Sequence, residues 1–191
     1  MLVEASGFLI GILFDFYLTV LLLRFLLQWM GANYYNPISQ FTVKLTDPIL
    51  KPLRKLIPNR GGIDIATLLI LLMLGMIKNG LLIWLQYQTL PYILGLVLLA
   101  ATSLLALVFS IFFYSLLIRV ILSWVNPTGY NPAIEIIQRI TEPLLAPARR
   151  YIPPISGIDL SPLAVIVLLE FINLFFIRYL MAWSKGLAIF G

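Results

Sequence analysis

The sequence predicts an all-α membrane protein in which four transmembrane helices are built from two parallel tandem repeats. Three observations predict this fold class: an apolar composition, four long apolar stretches and an ungapped internal repeat. Of the 191 residues, 61% are hydrophobic and 11% are charged, and the mean hydropathy is +1.01. Soluble domains are about 45–50% apolar and about 25% charged. The composition therefore argues against a soluble globular enzyme.

The chain contains neither cysteine nor histidine, which limits its chemistry. Disulfides, zinc fingers, iron–sulfur clusters, histidine-ligated haem, a catalytic thiol and any histidine-based triad are excluded. The sequence also shows no phosphate-binding loop and no nucleophile–base pair. We expect no catalytic residue, no cofactor and no metal site, and hence a protein that is not an enzyme.

Four stretches are long enough to cross a bilayer, whose hydrocarbon core takes about 20 residues of helix. They cover residues 7–30, 65–87, 91–125 and 160–184. A polar break at Gln86–Thr89 separates the second stretch from the third, and Pro91 suits the first position of a helix. A cleaved signal peptide fits the first stretch poorly, because Glu4 stands where a basic segment is expected. We expect the first helix to remain in the protein.

The distribution of charge orients the four spans. The two long connections carry the basic residues Lys44, Lys51, Arg54, Lys55, Arg60, Arg139, Arg149 and Arg150. The opposite side carries only Lys185. The positive-inside rule places both long connections in the cytoplasm and both termini outside. Nucleic acid is not expected as a partner, because the sequence has no soluble basic domain.

The four tryptophans support the same layout. Trp29 and Trp124 fall at the cytoplasmic ends of the first and third spans. Trp84 and Trp183 fall near the outer ends of the second and fourth spans. These are the positions of an interfacial aromatic belt.

The second half of the chain repeats the first at an offset of 95 residues. We divide the chain into repeat 1 (1–88) and repeat 2 (89–191). The matched residues are Arg24, Trp29, Asn36, Pro37, Pro48 and Asp64 in repeat 1 and Arg119, Trp124, Asn131, Pro132, Pro143 and Asp159 in repeat 2. Each repeat holds two spans, an even number, so both repeats share one orientation and are parallel rather than inverted.

Each long connection is predicted to form a pair of amphipathic helices in the membrane interface, over residues 36–58 and 131–153. Asn36 would cap a helix that begins at Pro37, and Asp47 would cap a second helix that Pro52 bends or shortens. Apolar residues recur every three or four positions, at Ile38, Phe41, Leu45, Ile49, Leu53 and Leu56 and at Ile136, Ile140 and Leu144.

We expect these apolar faces to sink toward the acyl chains. The basic side chains would then contact anionic lipid headgroups or a protein partner at the cytoplasmic face. These residues are Lys44, Lys51, Arg54, Lys55, Arg139, Arg149 and Arg150. Each cation near an anionic surface contributes about 1 kcal/mol to binding.

Two matched pairs of charges leave alternatives open. Asp64 and Asp159 precede the second and fourth spans and suit helix N-caps, or they form salt bridges to the repeated arginines. Arg24 and Arg119 lie about one and a half turns inside the first and third spans. They either extend to the lipid phosphates or pair with these two aspartates.

Four further charges lie inside the predicted spans: Asp15, Lys78, Glu170 and Arg178. Such residues cost about 2.5–3.5 kcal/mol each on insertion scales, which makes them functional candidates. Lys78 either pairs with Asp15 or Glu170 and fixes helix packing, or it lines an ion or proton path with Asn79, Glu170 and Asn173. Arg178 lies close enough to the outer face to reach it.

The repeated motifs resemble those of the YggT family, whose single-unit relatives are called YlmG. The motif R-x4-W, then N-P, then T-[DE]-P-x3-P-x-R-[KR]-x-I-P occurs twice, and the resemblance covers nearly the whole chain. It implies a tandem-repeat protein of the bacterial inner membrane, so that both termini are periplasmic.

The resemblance also carries functional implications. Bacterial members are linked to osmotic and ion homeostasis or to septum and nucleoid organisation, and plastid relatives to haem attachment. Because this chain lacks histidine and cysteine, any assembly role would be that of a scaffold.

Two functions remain open from the sequence. The first is a non-enzymatic membrane scaffold that acts through the basic cytoplasmic segments, since every repeated feature lies on that surface. The second is a small ion or solute transporter that uses the intramembrane charges. A homo-oligomer is possible, but the glycine spacing assigns no interface.

Overall fold

A computed structural model describes residues 1–57, 63–125, 131–152 and 159–191. The helices are α1 (Leu2–Trp29), α2 (Pro37–Leu56), α3 (Ile65–Tyr87), α4 (Ile93–Val125), α5 (Pro132–Tyr151), α6 (Ser161–Ile172) and α7 (Arg178–Phe190). A π-helical segment, Asn173–Ile177, joins α6 to α7 without a break. Arg60 and residues 58 and 153, where the predicted amphipathic segments end, lie outside the described residues.

Four helices are long and apolar enough to span a membrane: Val3–Trp29, Ile65–Tyr87, Ile93–Val125 and Ser161–Phe190. The predicted all-α membrane fold with four spans is confirmed. The fourth span continues to Phe190 instead of ending near Ser184, because Ala188 is fully buried and its carbonyl accepts a hydrogen bond from Tyr92 N at 2.9 Å. We call the side that carries α2 and α5 the loop end, and the side that carries residues 88–92 and both termini the turn end.

The spans form a row in which each helix packs on the next. Within repeat 1, α1 packs on α3; within repeat 2, α4 packs on α6 and α7; the contact of α3 with α4 joins the repeats. In the described part of the chain, α1 makes no comparable contact with α6 or α7. The row is therefore open, and α1 and α6–α7 each keep one unpartnered side.

The two repeats build matching cores at the loop end. Leu21 of α1 and Leu50 of α2 are fully buried in one cluster, and their counterparts Leu116 and Leu145 are fully buried in another. These contacts fix α2 on α1 and α5 on α4.

The structure corrects the predicted helix pairs, because α2 and α5 are each one continuous helix. Asn36 accepts a hydrogen bond from Ile38 N at 2.9 Å, as an N-cap should, but no second helix begins at Pro48. A proline inside a helix removes one hydrogen bond and crowds the preceding turn. Arg24 holds this turn from outside, since it donates to the Val43 carbonyl at 3.3 Å and to Thr46 Oγ1 at 2.5 Å.

Small residues allow α4 to approach its neighbours closely. A Cβ atom built on Gly75 would lie 3.3 Å from Ala100 Cβ, at the contact of α3 with α4. One built on Gly95 would lie 2.2 Å from the backbone nitrogen of Ala188 and 2.4 Å from the carbonyl carbon of Leu187. The α4–α7 crossing therefore depends on the absence of a side chain at Gly95.

Gly95→Ala should lower the free energy of unfolding by about 2 kcal/mol or more, because two backbones would have to separate. The measurement is the thermal unfolding midpoint of the purified protein in nanodiscs. Gly186→Ala is the matched control, since its added Cβ meets nothing within 4 Å and alanine favours the helix. Equal midpoints for the two variants would contradict the prediction.

Candidate functional site

An ion-pair network at the loop end ties α2 to α1. Arg24 Nη1 lies 2.8 Å from Asp47 Oδ1, in addition to its contact with Thr46 Oγ1. Lys51 Nζ lies 2.9 Å from the other oxygen of the Asp47 carboxylate. The side chains of Arg24 and Asp47 are 7% and 19% exposed, so removing either partner leaves an uncompensated charge in a poorly solvated place.

Repeat 2 builds the same network between α4 and α5. Arg119 Nη1 donates to Thr141 Oγ1 at 2.6 Å, and Arg119 Nη2 lies 3.0 Å from Glu142 Oε2. Alanine stands at position 146, where repeat 1 has Lys51, so this repeat lacks a cation one helical turn after its acidic residue. The side chains of Arg119 and Glu142 are 20% and 47% exposed, so this network is more accessible to solvent than the network of repeat 1.

A second layer of charges connects α2 to the start of α3. Arg54 Nη2 forms an ion pair with Asp64 Oδ2 and lies 3.3 Å from Gln28 Oε1 of α1. Asp64 also caps α3, since its carboxylate accepts from Thr67 N at 3.3 Å and from Thr67 Oγ1 at 2.5 Å. One buried carboxylate therefore serves as N-cap and as ion-pair partner.

The matching layer in repeat 2 uses one arginine for two carboxylates. Arg149 Nε lies 2.9 Å from Asp159 Oδ2, and Arg149 Nη1 lies 2.9 Å from Glu142 Oε1. Asp159 accepts a hydrogen bond from Ser161 N at 2.9 Å at the start of α6. Arg149 thus takes the place of the lysine that repeat 2 lacks.

These contacts combine the alternatives that the sequence left open. Asp64 is a helix cap and an ion-pair partner at once, whereas Asp159 lies one residue before Leu160, the N-cap of α6, and accepts from Ser161 N in addition to its ion pair. Arg24 and Arg119 neither extend freely to the lipid nor pair with these aspartates. They pair with Asp47 and Glu142, which sequence reasoning assigned to capping or left aside. Acidic residues 23 positions after each arginine, preceded by threonine in both repeats, are the signal that could have found them.

The network lowers the pKa of Asp47 and of Asp64. Burial raises the pKa of Asp64, but hydrogen bonds from Thr67 and Arg54 outweigh burial, and the net pKa lies below its ordinary value. The pKa of Asp47 is lowered in the same way, with burial opposed by Lys51 and Arg24. A carboxyl group with a lowered pKa stabilises the folded state at neutral pH and loses this contribution as the pH falls.

Five basic side chains on α2 and α5 are exposed: Lys44, Lys51, Lys55, Arg139 and Arg150. Arg54 and Arg149, predicted to face lipid or a partner, are instead engaged with Asp64 and Asp159. The exposed cations form the basic surface of the loop end.

The predicted apolar stripes differ between the repeats. On α2, Phe41 is 54% exposed and Leu45 is 37% exposed. On α5, Ile136 and Ile140 are 4% and 2% exposed, because they pack against Leu27 of α1. The interfacial face predicted for α5 is therefore largely a protein contact.

The repeats are also linked by one buried amide. Asn36 is 1% exposed, and its Nδ2 donates to the Pro132 carbonyl at 2.9 Å and to Glu135 Oε2 at 3.1 Å. The residue that caps α2 thus also holds the beginning of α5.

The structure brings together Asp15 and Lys78, whose side chains form an ion pair between α1 and α3. They line a cavity of about 710 Å³ whose wall also holds Asn79, Ser103 and Ser110. The cavity extends toward the turn end, where Glu4, Gln86 and Lys185 border it.

Glu170 and Arg178 lie away from this cavity. Both are exposed on the outer side of α6–α7, and neither forms an ion pair with the residues that the structure describes. The predicted alternative pair of Lys78 with Glu170 is absent, and Asn173 is also outside the cavity wall.

Asp64→Asn should lower the free energy of unfolding at pH 7 by about 2 kcal/mol, because asparagine keeps the cap and removes the charge pair. Asp159→Asn, whose pair is about one third exposed, should lower it by about 1 kcal/mol or less. Thermal midpoints in nanodiscs measure both effects. The difference between wild type and Asp64→Asn should start to shrink as the pH falls below the ordinary aspartate value of 3.8. A difference that grows toward low pH would contradict the assignment.

The chain shares its repeated pattern with known proteins. A family model described as CCB3/YggT matches residues 3–85 and again residues 98–180, at the offset of the internal repeat. A protein of Pseudomonas aeruginosa is 39% identical over 181 residues, covering 94% of this chain and 92% of that protein. The YggT protein of Escherichia coli K12 is 40% identical over 169 residues, covering 87% of this chain and 86% of that protein.

A shorter relative matches only part of the chain. The Ycf19 protein of Guillardia theta is 41% identical over 62 residues, which is 32% of this chain and 68% of that protein. No solved structure matches the chain. The two family matches, the tandem network and the four spans together show that the chain belongs to the YggT family of integral membrane proteins.

Proposed function

We propose that this protein is a non-enzymatic scaffold of the bacterial inner membrane, an assembly or organisation factor that acts through α2 and α5. The observation that carries the proposal is the repeated arginine–carboxylate network, which fixes both helices along the loop end. A fixed helix presents its exposed side chains without the entropy loss that ordering a free loop would cost.

The exposed cations support an anionic partner at this face. Lys44, Lys51 and Lys55 on α2 and Arg139 and Arg150 on α5 are exposed, whereas Lys185 is the basic residue near the opposite face. By the positive-inside rule the loop end is cytoplasmic and both termini are periplasmic. There the amphipathic α2 would meet anionic headgroups or an acidic protein surface.

A small cavity between α1 and α2 supports a specific contact with a lipid phosphate. It measures about 370 Å³ and is lined by Arg24, Arg54 and Ser39. Ser39 Oγ and Arg54 Nε are buried without a hydrogen-bond partner among the residues that the structure describes. Buried polar groups nearly always have partners, and oxygens of anionic lipid headgroups would supply them at each of the two positions.

Anionic lipid should stabilise the protein through this surface. We expect a higher thermal midpoint in nanodiscs of phosphatidylglycerol and phosphatidylcholine than in phosphatidylcholine alone. The joint change of Lys44, Lys55, Arg139 and Arg150 to glutamine should remove most of this increment, because each cation contributes about 1 kcal/mol at an anionic surface.

Lys185→Gln is the matched control and should keep the increment. Ser39→Ala should leave stability in pure phosphatidylcholine unchanged or higher, and reduce the increment with anionic lipid. If anionic lipid still raises the thermal midpoint of the variant with all four glutamine substitutions, this surface is not the lipid-binding site.

A second candidate function, small ion or solute transport linked to osmotic homeostasis, rests on the cavity beside Asp15 and Lys78. Its volume of about 710 Å³ suits a small solute, and it reaches from the turn end to an intramembrane ion pair. Charged residues within spans often line such paths.

Flux measurements separate the two functions. A scaffold predicts no flux of potassium, sodium or protons through proteoliposomes beyond that of protein-free vesicles. Lys78→Ala and Glu170→Gln should then behave like wild type. A flux that Lys78→Ala abolishes and Glu170→Gln preserves would assign transport to the cavity and overturn the scaffold proposal.

A further inference from the structure

The two repeats meet through unlike surfaces. Repeat 1 contributes α3 to a contact with α4, and repeat 2 contributes α5 to a contact with α1. When two similar units meet through unlike surfaces, the contact is called head-to-tail. Each unit then keeps one surface unused, and the two unused surfaces lie on opposite sides of the pair. The unused surfaces here are α1 with α2 on one side and α4 with α6–α7 on the other.

At the loop end, the unused surfaces match the used ones. Ile136 and Ile140 of α5 are buried against Leu27 of α1. Their counterparts on α2, 95 positions earlier, are Phe41 and Leu45, which are 54% and 37% exposed. The counterpart of Leu27 on α4 is Leu122, which is half-buried, whereas Leu27 is buried. Apolar side chains therefore stand on both unused surfaces at the matching positions.

The side-chain amide that links the repeats, Asn36, is buried, whereas its counterpart in repeat 2 is exposed. Asn36 Nδ2 binds the carbonyl of Pro132 and the carboxylate of Glu135 across the repeat boundary. Its counterpart Asn131 caps α5 through Oδ1 but is exposed. Across a second boundary of the same kind, Asn131 Nδ2 would meet the Pro37 carbonyl and the Gln40 side chain, both of which belong to exposed residues.

Nearer the turn end, the matched positions carry opposite charges. Ile83 of α3 and Leu99 of α4 are buried in one cluster where the repeats meet. Their counterparts are Arg178 on α7 and Glu4 on α1, and both are exposed. Among the described residues, Glu4 forms an ion pair with the amine of Met1 at 3.2 Å, and both groups are exposed. An apolar pair inside the chain thus corresponds to a complementary charge pair on the two unused surfaces.

We propose that a second copy of this chain docks head-to-tail on the first, with its α1 and α2 against α4 and α6–α7 of its neighbour. Two copies related by a twofold axis along the membrane normal use both pairs of surfaces and close a ring of four repeat units. Arg178 of one copy meets Glu4 of the other, and Phe41 and Leu45 of one copy cover Leu122 of the other.

Cysteine crosslinking tests the contact between copies. The sequence has no native cysteine, so only the introduced residues can react. Copies carrying Leu45→Cys alone and copies carrying Leu122→Cys alone are expressed together, and native membranes are treated with a short bismaleimide. We expect a crosslinked dimer only when both variants are present. Leu27→Cys with Ile140→Cys in one chain is the matched control, because these residues already touch and should crosslink within the monomer.

Two outcomes would overturn the proposal. One is the absence of intermolecular crosslinks while the control pair reacts. The other is efficient crosslinking of either single variant alone, since a residue meets its own copy only in a contact between like surfaces.

Charge reversal provides a second test that does not depend on cysteine chemistry. Glu4→Arg or Arg178→Glu alone should lower the dimer association constant in detergent by about tenfold, because the symmetric dimer contains this partly exposed ion pair twice and each pair contributes about threefold. The two changes combined should restore it. A double variant that is no better than the single variants would show that these residues do not meet.

Discussion

Two arginines held below the polar surface at the loop end constrain the rest of the structure. A guanidinium at this depth requires a carboxylate, because an uncompensated charge in a poorly solvated site is destabilising by several kilocalories per mole. Arg24 and Arg119 obtain theirs from Asp47 on α2 and Glu142 on α5. This requirement brings α2 back onto α1 and α5 back onto α4. The contacts of Arg24 with the Val43 carbonyl and with Thr46 also support the turn of α2 that precedes Pro48.

The repeats share this architecture but differ in what they add to it. Repeat 1 places an ion pair inside the membrane, whereas repeat 2 has Ser110 and Asn173 at the positions of Asp15 and Lys78. Repeat 2 buries the apolar side of α5 against α1, whereas the same side of α2 is exposed. The common features hold α2 and α5 in place and include exposed cations on both helices, such as Lys44 with Arg139 and Lys55 with Arg150. The differences between the repeats define the cavity and the open surfaces.

The sequence predicted the spans and the repeat because hydropathy and identity at a fixed offset are local, additive signals. It predicted the N-cap at Asn36 because Asn-Pro is a common signal for the start of a helix. It placed Asp47 at a cap because Asp-Pro carries the same local signal, and only the tertiary position of Arg24 decides otherwise. The burial of Ile136 and Ile140 depends on which helix lies beside α5, which periodicity does not encode. The cavity depends on the spacing of four helices, so the sequence predicted charges within the spans but not the cavity beside them.

The length of α4 has a mechanical consequence. Its 33 residues correspond to about 50 Å of helix, against a hydrocarbon core of about 30 Å. α3, with 23 residues, spans about 35 Å and is much closer to that thickness. α4 must therefore tilt or extend into the headgroup region, and a change in bilayer thickness acts on it more than on α3. Since Arg119 on α4 holds α5, the position of α5 relative to α2 responds to the thickness of the membrane around the protein.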